Sequence, residues 1–215
     1  MVSKSASDRR RIDAHFGLCA MGFALLVLAF LMPKSAAANG EHEFVGFMKC
    51  KTCHKQEEIG NQFGIWRDSK HAKAFGTLAT DKAKKWAAEA GVIDPQTDDR
   101  CVKCHSTAHG VSDQMVSKNF DRKAGVQCEA CHGAGKDYRR KKVMVDRDKA
   151  IAQGLIPQTA AVCTACHNDE SPAWDPQRYT LADGNKVGFD YDQAVKTIAH
   201  PVPEGYDPKA HGEAE

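Results

Sequence analysis

Cys128-Glu129-Ala130-Cys131-His132 decides how this chain is read, because its form recurs three times. The other copies are Cys50-Lys51-Thr52-Cys53-His54, Cys101-Val102-Lys103-Cys104-His105 and Cys163-Thr164-Ala165-Cys166-His167. C-x-x-C-H is the covalent attachment signature of c-type haem. Each thiol forms a thioether with a haem vinyl group, and the adjacent His is held under the iron as proximal ligand. Of the nine cysteines in the chain, only Cys19 lies outside these motifs. Two four-cysteine zinc sites would account for the pairs, but not for a His directly after each. A thioredoxin-like redox motif needs one pair, not four. The expectation is four covalently bound haem c groups, with His54, His105, His132 and His167 as proximal ligands.

The N-terminus supplies a compartment. Arg9-Arg10-Arg11 precede an uncharged apolar run of 17 residues, Phe16 to Met32, and Ser35-Ala36-Ala37-Ala38 follow it. A positive region, an apolar stretch and small residues read as a cleaved export signal over residues 1–38. The alternative is an uncleaved membrane anchor, for which such a run sits at the short end of the spanning range. Cys19 lies early in the apolar run, so it is not placed as a lipoprotein cysteine. The mature part, residues 39–215, reads as one tetrahaem cytochrome c domain, periplasmic or extracellular.

Removing the signal changes the charge balance. The whole chain holds 30 Lys/Arg and 28 Asp/Glu, of which five and two lie in residues 1–38, leaving 25 against 26. The mature chain is thus close to neutral before the haem propionates are counted, and nothing points to nucleic acid.

Residues 39–215 contain only three leucines, with six Ile, twelve Val and six Phe, together 27 of 177 residues. So small an apolar set cannot close a core of its own. Four porphyrins supply the missing apolar surface, which predicts a chain wrapped around its cofactors. No long strand pattern appears, so the fold class is mainly α with long loops. A helix is expected from Ile59 through Trp66 towards His71, weakened by Gly60 and Gly64. A second follows Thr80 or Asp81 and is ended by Gly91. Two more run from Asp146 to Gln153, ended by Gly154, and from Tyr191 to His200, stopped by Pro201. Asn39 to Phe47 reads as a loosely held polar lead-in. The basic run Arg139-Arg140-Lys141-Lys142 is either a solvated face, paired in part with propionates, or a dock for an acidic redox partner.

Six-coordination of four irons by imidazole needs eight histidines, and the mature chain has nine. Beyond the proximal four stand His42, His71, His109, His200 and His211, with Met48, Met115 and Met144 as other possible ligands. His71 follows a helix that could fold over a neighbouring haem, and His200 ends the last helix. His109, four residues past His105, is poorly placed for the second iron's far face and reaches the first only if its loop folds back. His42 could serve its own first haem or one in a neighbouring chain. His211 sits in a polar tail and is read as a surface residue.

These residues resemble the tetrahaem cytochrome c-554 family. The resemblance is carried by Cys50-Lys51-Thr52-Cys53-His54 followed by Trp66-Arg67-Asp68-Ser69-Lys70-His71-Ala72-Lys73-Ala74. It continues through Gly125-Val126-Gln127-Cys128-Glu129-Ala130-Cys131-His132-Gly133-Ala134-Gly135 and the fourth motif with Ser171-Pro172-Ala173-Trp174. Phe189-Asp190-Tyr191-Asp192-Gln193-Ala194-Val195-Lys196 completes it. It implies a mainly helical fold with closely stacked haem pairs and a five-coordinate second haem. It further implies that His71 is the distal ligand of the third haem and His200 that of the fourth. The family's first haem takes its distal His from the segment just after the third motif. Here Tyr138 to Val145 contains no histidine, so the resemblance supplies no sixth ligand for the first iron.

The expected function is an exported carrier of single electrons between redox proteins. Two alternatives stand beside it. One is a redox enzyme acting on a small nitrogen or oxygen species at a five-coordinate haem. The other is a subunit of a conductive filament, with oligomers joined through a ligand such as His42. An uncleaved N-terminus would add membrane association.

Overall fold

The computed structural model describes residues 42–207. The export segment expected over residues 1–38, with Cys19, and the tail residue His211 lie outside them. The described chain is a succession of short helices: α1 Phe47–His54, α2 Gln62–Asp68, α3 Ala74–Thr77, α4 Asp81–Glu89, α5 Asp99–His105, α6 Cys128–His132, α7 Lys141–Met144, α8 Arg147–Ala152, α9 Ala160–Thr164 and α10 Tyr191–Ile198. An antiparallel pair of two-residue strands, β1 Tyr179–Thr180 and β2 Lys186–Val187, lies before α10. This small ladder falls partly within a stretch that the sequence presents as loop.

Helices this short do not sustain themselves, and α2, α4, α5, α8 and α10 are held at the N-terminus by a capping side chain. Thr80 Oγ1 accepts the Ala83 N–H, Asp98 accepts that of Arg100, and Asp146 accepts that of Lys149. Asp190 caps α10 through the Gln193 N–H. The expected helix from Ile59 is split, because Gly60 adopts a left-handed turn at φ 100° after a single 3₁₀ turn, Glu57–Ile59. α10 ends at Ile198, two residues before His200.

Two segments distant in sequence clamp together. Trp66 Nε1 donates to the Val126 carbonyl at 2.8 Å, and the Val126 N–H donates to the His71 carbonyl at 2.9 Å. Gly125, at φ 76°, makes this approach possible, since a Cβ there would lie 2.5 Å from that same carbonyl oxygen. Phe47, Phe63 and Trp66 form an aromatic cluster on the near side, with ring centroids 5.0–6.2 Å apart.

The lead-in departs from expectation. Phe44 and Val45 are buried, and Phe44 bridges Val116 in parallel. The N–H groups of Val45 and Gly46 donate to the two oxygens of Glu129 at 2.9 and 2.7 Å. That of Phe47 donates to the Gln127 side chain at 3.0 Å. The segment is thus tied across more than 80 residues to the third motif.

Among the described residues the buried apolar set is Phe44, Val45, Leu78, Ala87, Val92, Val102, Ala108, Ala134, Tyr138 and Ala150. Four of these are alanines, so the polypeptide core is thin, as the composition predicts.

Candidate haem sites

Three of the motifs share a local design. In α1, α5 and α6 the motif His is the last helical residue, so its ring leaves the helix end beside the two thiols. α9 ends at Thr164, and Cys166 and His167 continue just past it. α1 packs on α6, and the thiols of Cys50 and Cys128 lie close enough to perturb each other. Cys104 and Cys166 form a second such pair, bridged nearby by Lys103 Nζ to Glu170 at 2.5 Å. The first attachment site therefore neighbours the third, and the second neighbours the fourth. This is the adjacency that closely stacked haem pairs require.

The imidazoles fit an iron. An Nδ1–H given to an acceptor leaves the Nε2 lone pair for a metal and fixes the ring's orientation. His54 Nδ1 faces Gln62 Oε1 at 3.1 Å, and His105 Nδ1 faces the Ala74 carbonyl at 2.8 Å, where α3 packs on α5. His200 Nδ1 faces the Ile198 carbonyl at 2.8 Å. His132 departs from this pattern, because its Nδ1 lies 3.3 Å from the amide donor Gln158 Nε2.

Two pairs of rings face each other. His71 and His167 have centroids 6.1 Å apart with planes at 65°, and His132 and His200 have centroids 5.9 Å apart at 80°. Two nitrogens bound to one metal from opposite sides, each about 2 Å away, put the ring centres roughly 6 Å apart. Both pairs stand at about that centroid spacing. Burial lowers the pKa of His71 and His167, the latter aided by His71 and Arg178. Burial, then His200 and His54, push His132 down to about 4. All three are thereby held in the neutral form that ligates a metal. Among the described residues no three His, Cys, Asp or Glu side chains converge as a zinc cage would need.

The pairing is crosswise to the one implied by the family resemblance. His71 faces the fourth motif's His167, not the third's His132, and His200 faces the third. Residues 125–126 hold the His71 backbone, and its ring stands beside that of His167. His109 Nε2 lies 3.1 Å from Asp99 Oδ1. Met48 is 55% exposed on α1, which sets it apart from a buried ligand. His42 is half-buried and bonds Asp137 through Nδ1 at 2.8 Å.

Motif reading does not single out Glu129 or Gln127. Both are fully buried, and the Gly135 N–H gives Glu129 a third donor at 2.6 Å. Their signal in the sequence, polar residues in and beside the third motif, does not differ from that of an exposed position.

Four C-x-x-C-H motifs, their paired thiols and two closely spaced imidazole pairs fit a multihaem c-type cytochrome. The family described as cytochrome c554 and c-prime matches residues 49–133. Cytochrome c-554 of Nitrosomonas europaea is 27% identical over 191 residues, covering 79% of each chain. The multiheme cytochrome MtrA of Shewanella baltica is 28% identical over 109 residues, 46% of this chain and 32% of the relative. The reduced cytochrome c554 structure from N. europaea covers 80% of this chain and 83% of its own, at 21% identity and a TM-score of 0.45. In the family match and in these sequence relatives the chain is similar to the tetrahaem cytochrome c-554 family. Its cofactors are four covalently bound haem c groups, and its general activity is electron transfer.

Proposed function

We propose that this protein is an exported electron carrier that passes single electrons between redox protein partners. In this reading residues 1–38 direct export and are removed, and residues 39–215 form the periplasmic or extracellular tetrahaem domain. Bound haem supplies one-electron redox chemistry, and the protein sets spacing, ligation and access. The observation that carries the reading is the pair of facing imidazoles at both the third and fourth motifs. An iron held between two rings has no free position for bond chemistry and is suited to outer-sphere transfer. The contacts between Cys50 and Cys128, and between Cys104 and Cys166, support passage within each pair of sites. Cys131 also neighbours Cys163, which links the two pairs.

The basic run Arg139-Arg140-Lys141-Lys142 is exposed, and of its charges Arg140 pairs with Asp137 at 3.3 Å. This supports an acidic redox partner docking near the first and third sites. Neither the enzyme nor the filament alternative gains support from the relatives. His42, bonded within its own chain, also weighs against a filament joined through it.

The test is export with the native N-terminus, followed by a pyridine haemochrome assay and a spectroelectrochemical titration. The expected result is four haems per chain in the periplasmic or secreted fraction, reduced reversibly by four electrons. Fewer haems, or cytoplasmic retention, would overturn the reading.

A further inference from the structure

We propose that His42, oriented by Asp137, is the sixth ligand of the iron in the haem attached at Cys50 and Cys53. The inference rests on the tetrahaem reading and adds a ligand that the motifs do not encode.

His42 carries the same signature as His54 and His105, an Nδ1 set against an oxygen acceptor. Its Nδ1 is bonded to Asp137 Oδ2 at 2.8 Å, and an ionised carboxylate can only accept. The proton therefore sits on Nδ1, and the lone pair sits on Nε2. A carboxylate behind an imidazole is the arrangement that makes the ring a stronger, better-aimed metal ligand. The ring is also seated. A Cβ at Gly154 would lie 2.6, 2.9 and 3.1 Å from three of its atoms, Cδ2, Nε2 and Cγ. Contacts that even mean the ring's face lies on Gly154, which leaves the Nε2 edge directed elsewhere. A simple surface ion pair needs no such seat and would contribute little.

Location narrows the choice to the first and third irons. Asp137 precedes Tyr138, which neighbours both Cys50 and Cys128, and Arg139, which neighbours Cys50. Three residues after His42, the backbone of Val45 and Gly46 is fixed to Glu129, and Phe47 then begins the helix that carries Cys50. The other irons are accounted for or remote. The third and fourth motifs already have facing rings in His200 and His71. The second motif packs with α3 and, through Cys104, with Cys166. His109 is engaged by Asp99. The bond made is a dative one from Nε2 to iron, and the Nδ1 proton stays with Asp137.

The test uses purified ferric holoprotein and counts low-spin and high-spin haems by electron paramagnetic resonance. His42→Ala is expected to convert one low-spin haem per chain to high-spin while all four haems remain attached, with free imidazole restoring the signal. His42→Met, which offers a thioether at the same place, should keep that haem low-spin and raise its potential. Asp137→Asn should leave the spin state intact and raise the same potential, because a neutral acceptor makes the imidazole a weaker donor. Unchanged low-spin content in His42→Ala with four haems attached would overturn the ligand assignment alone. Conversion of the wild type to high-spin on dilution would overturn it too, by making the ligand a neighbour's. Fewer than four haems in the wild type would instead count against the tetrahaem reading beneath it.

Discussion

The ring of His71 stands at 65° to that of His167, their centres 6.1 Å apart, so a histidine that follows the first motif lies against the imidazole of the last. If both rings bind one iron, His71→Ala should turn the haem at Cys163/Cys166 high-spin and leave the haem at Cys128/Cys131 unaffected. The check is a double-variant comparison. In a chain lacking the fourth haem through Cys163→Ala and Cys166→Ala, adding His71→Ala should cause no further loss of low-spin signal. If it is silent only in the chain lacking the third haem, the crosswise pairing is wrong.

The reciprocal expectation concerns His200. Removing its ring should open the iron held by His132, whose pKa burial and His200 together lower to about 4. In His200→Ala the burial that lowers His132 persists, so the altered haem should shed its proximal ligand only below pH 6. A spectral pH titration of that variant reads this directly. Loss of proximal ligation above pH 6 would contradict it.

How far these relations are legible in the sequence depends on their range. Motif cysteines and proximal histidines are contiguous, so their chemistry is readable residue by residue. Thr80, Asp146 and Asp190 also announce the helices they cap, since a cap and its target lie three residues apart. His71 and His200 can be named as ligands from sequence, but not matched to irons. That match depends on Val126 bonding the His71 backbone from 55 positions away. The lead-in reads as loose for the same reason. Val45 and Gly46 look like any exposed loop until Glu129 is brought beneath them.

Glu129 should therefore be costly to remove. It accepts three backbone N–H bonds at 2.6, 2.7 and 2.9 Å while buried. Glu129→Ala leaves three buried donors without a partner, at about 1–3 kcal/mol each, lowered where water enters the cavity. Denaturant unfolding of the holoprotein should show a loss of at least about 3 kcal/mol. Burial raises this carboxyl above its ordinary value despite the donors. The folded state thus holds the proton more tightly than the unfolded one. Its contribution is full below the unfolded pKa of about 4.3 and declines as pH rises through the folded value. A Glu129→Gln variant should lack that decline, and an unchanged pH slope would refute the account.

Gly154 offers an independent reading of the His42 seat. Its φ of 100° and the 2.6 Å that would separate an added Cβ from His42 Cδ2 both oppose a side chain. Gly154→Ala should cost about 1–3 kcal/mol from backbone strain alone and also push the imidazole off its carboxylate. Thermal melts measure the first effect. The second should appear as a partly high-spin first haem. A variant that is destabilised but fully low-spin would mean that the glycine serves only to end α8.

The thin core leads to the last expectation. Leu78 and Val92 are buried, but Ala87, Ala108, Ala134 and Ala150 fill much of the remaining apolar interior. Burying an alanine methyl contributes about 0.8 kcal/mol, whereas ordering each residue costs roughly 1–2 kcal/mol in backbone entropy alone. Helices such as α6, five residues long, cannot offset that deficit from their own hydrogen bonds. Folding must then be coupled to haem attachment, as it is to metal in small metal-dependent domains. A chain with all eight motif cysteines changed to serine and no haem bound should show far less helix by circular dichroism than the holoprotein and no cooperative melt. A cooperative transition in that chain would show that the polypeptide closes a core without its cofactors.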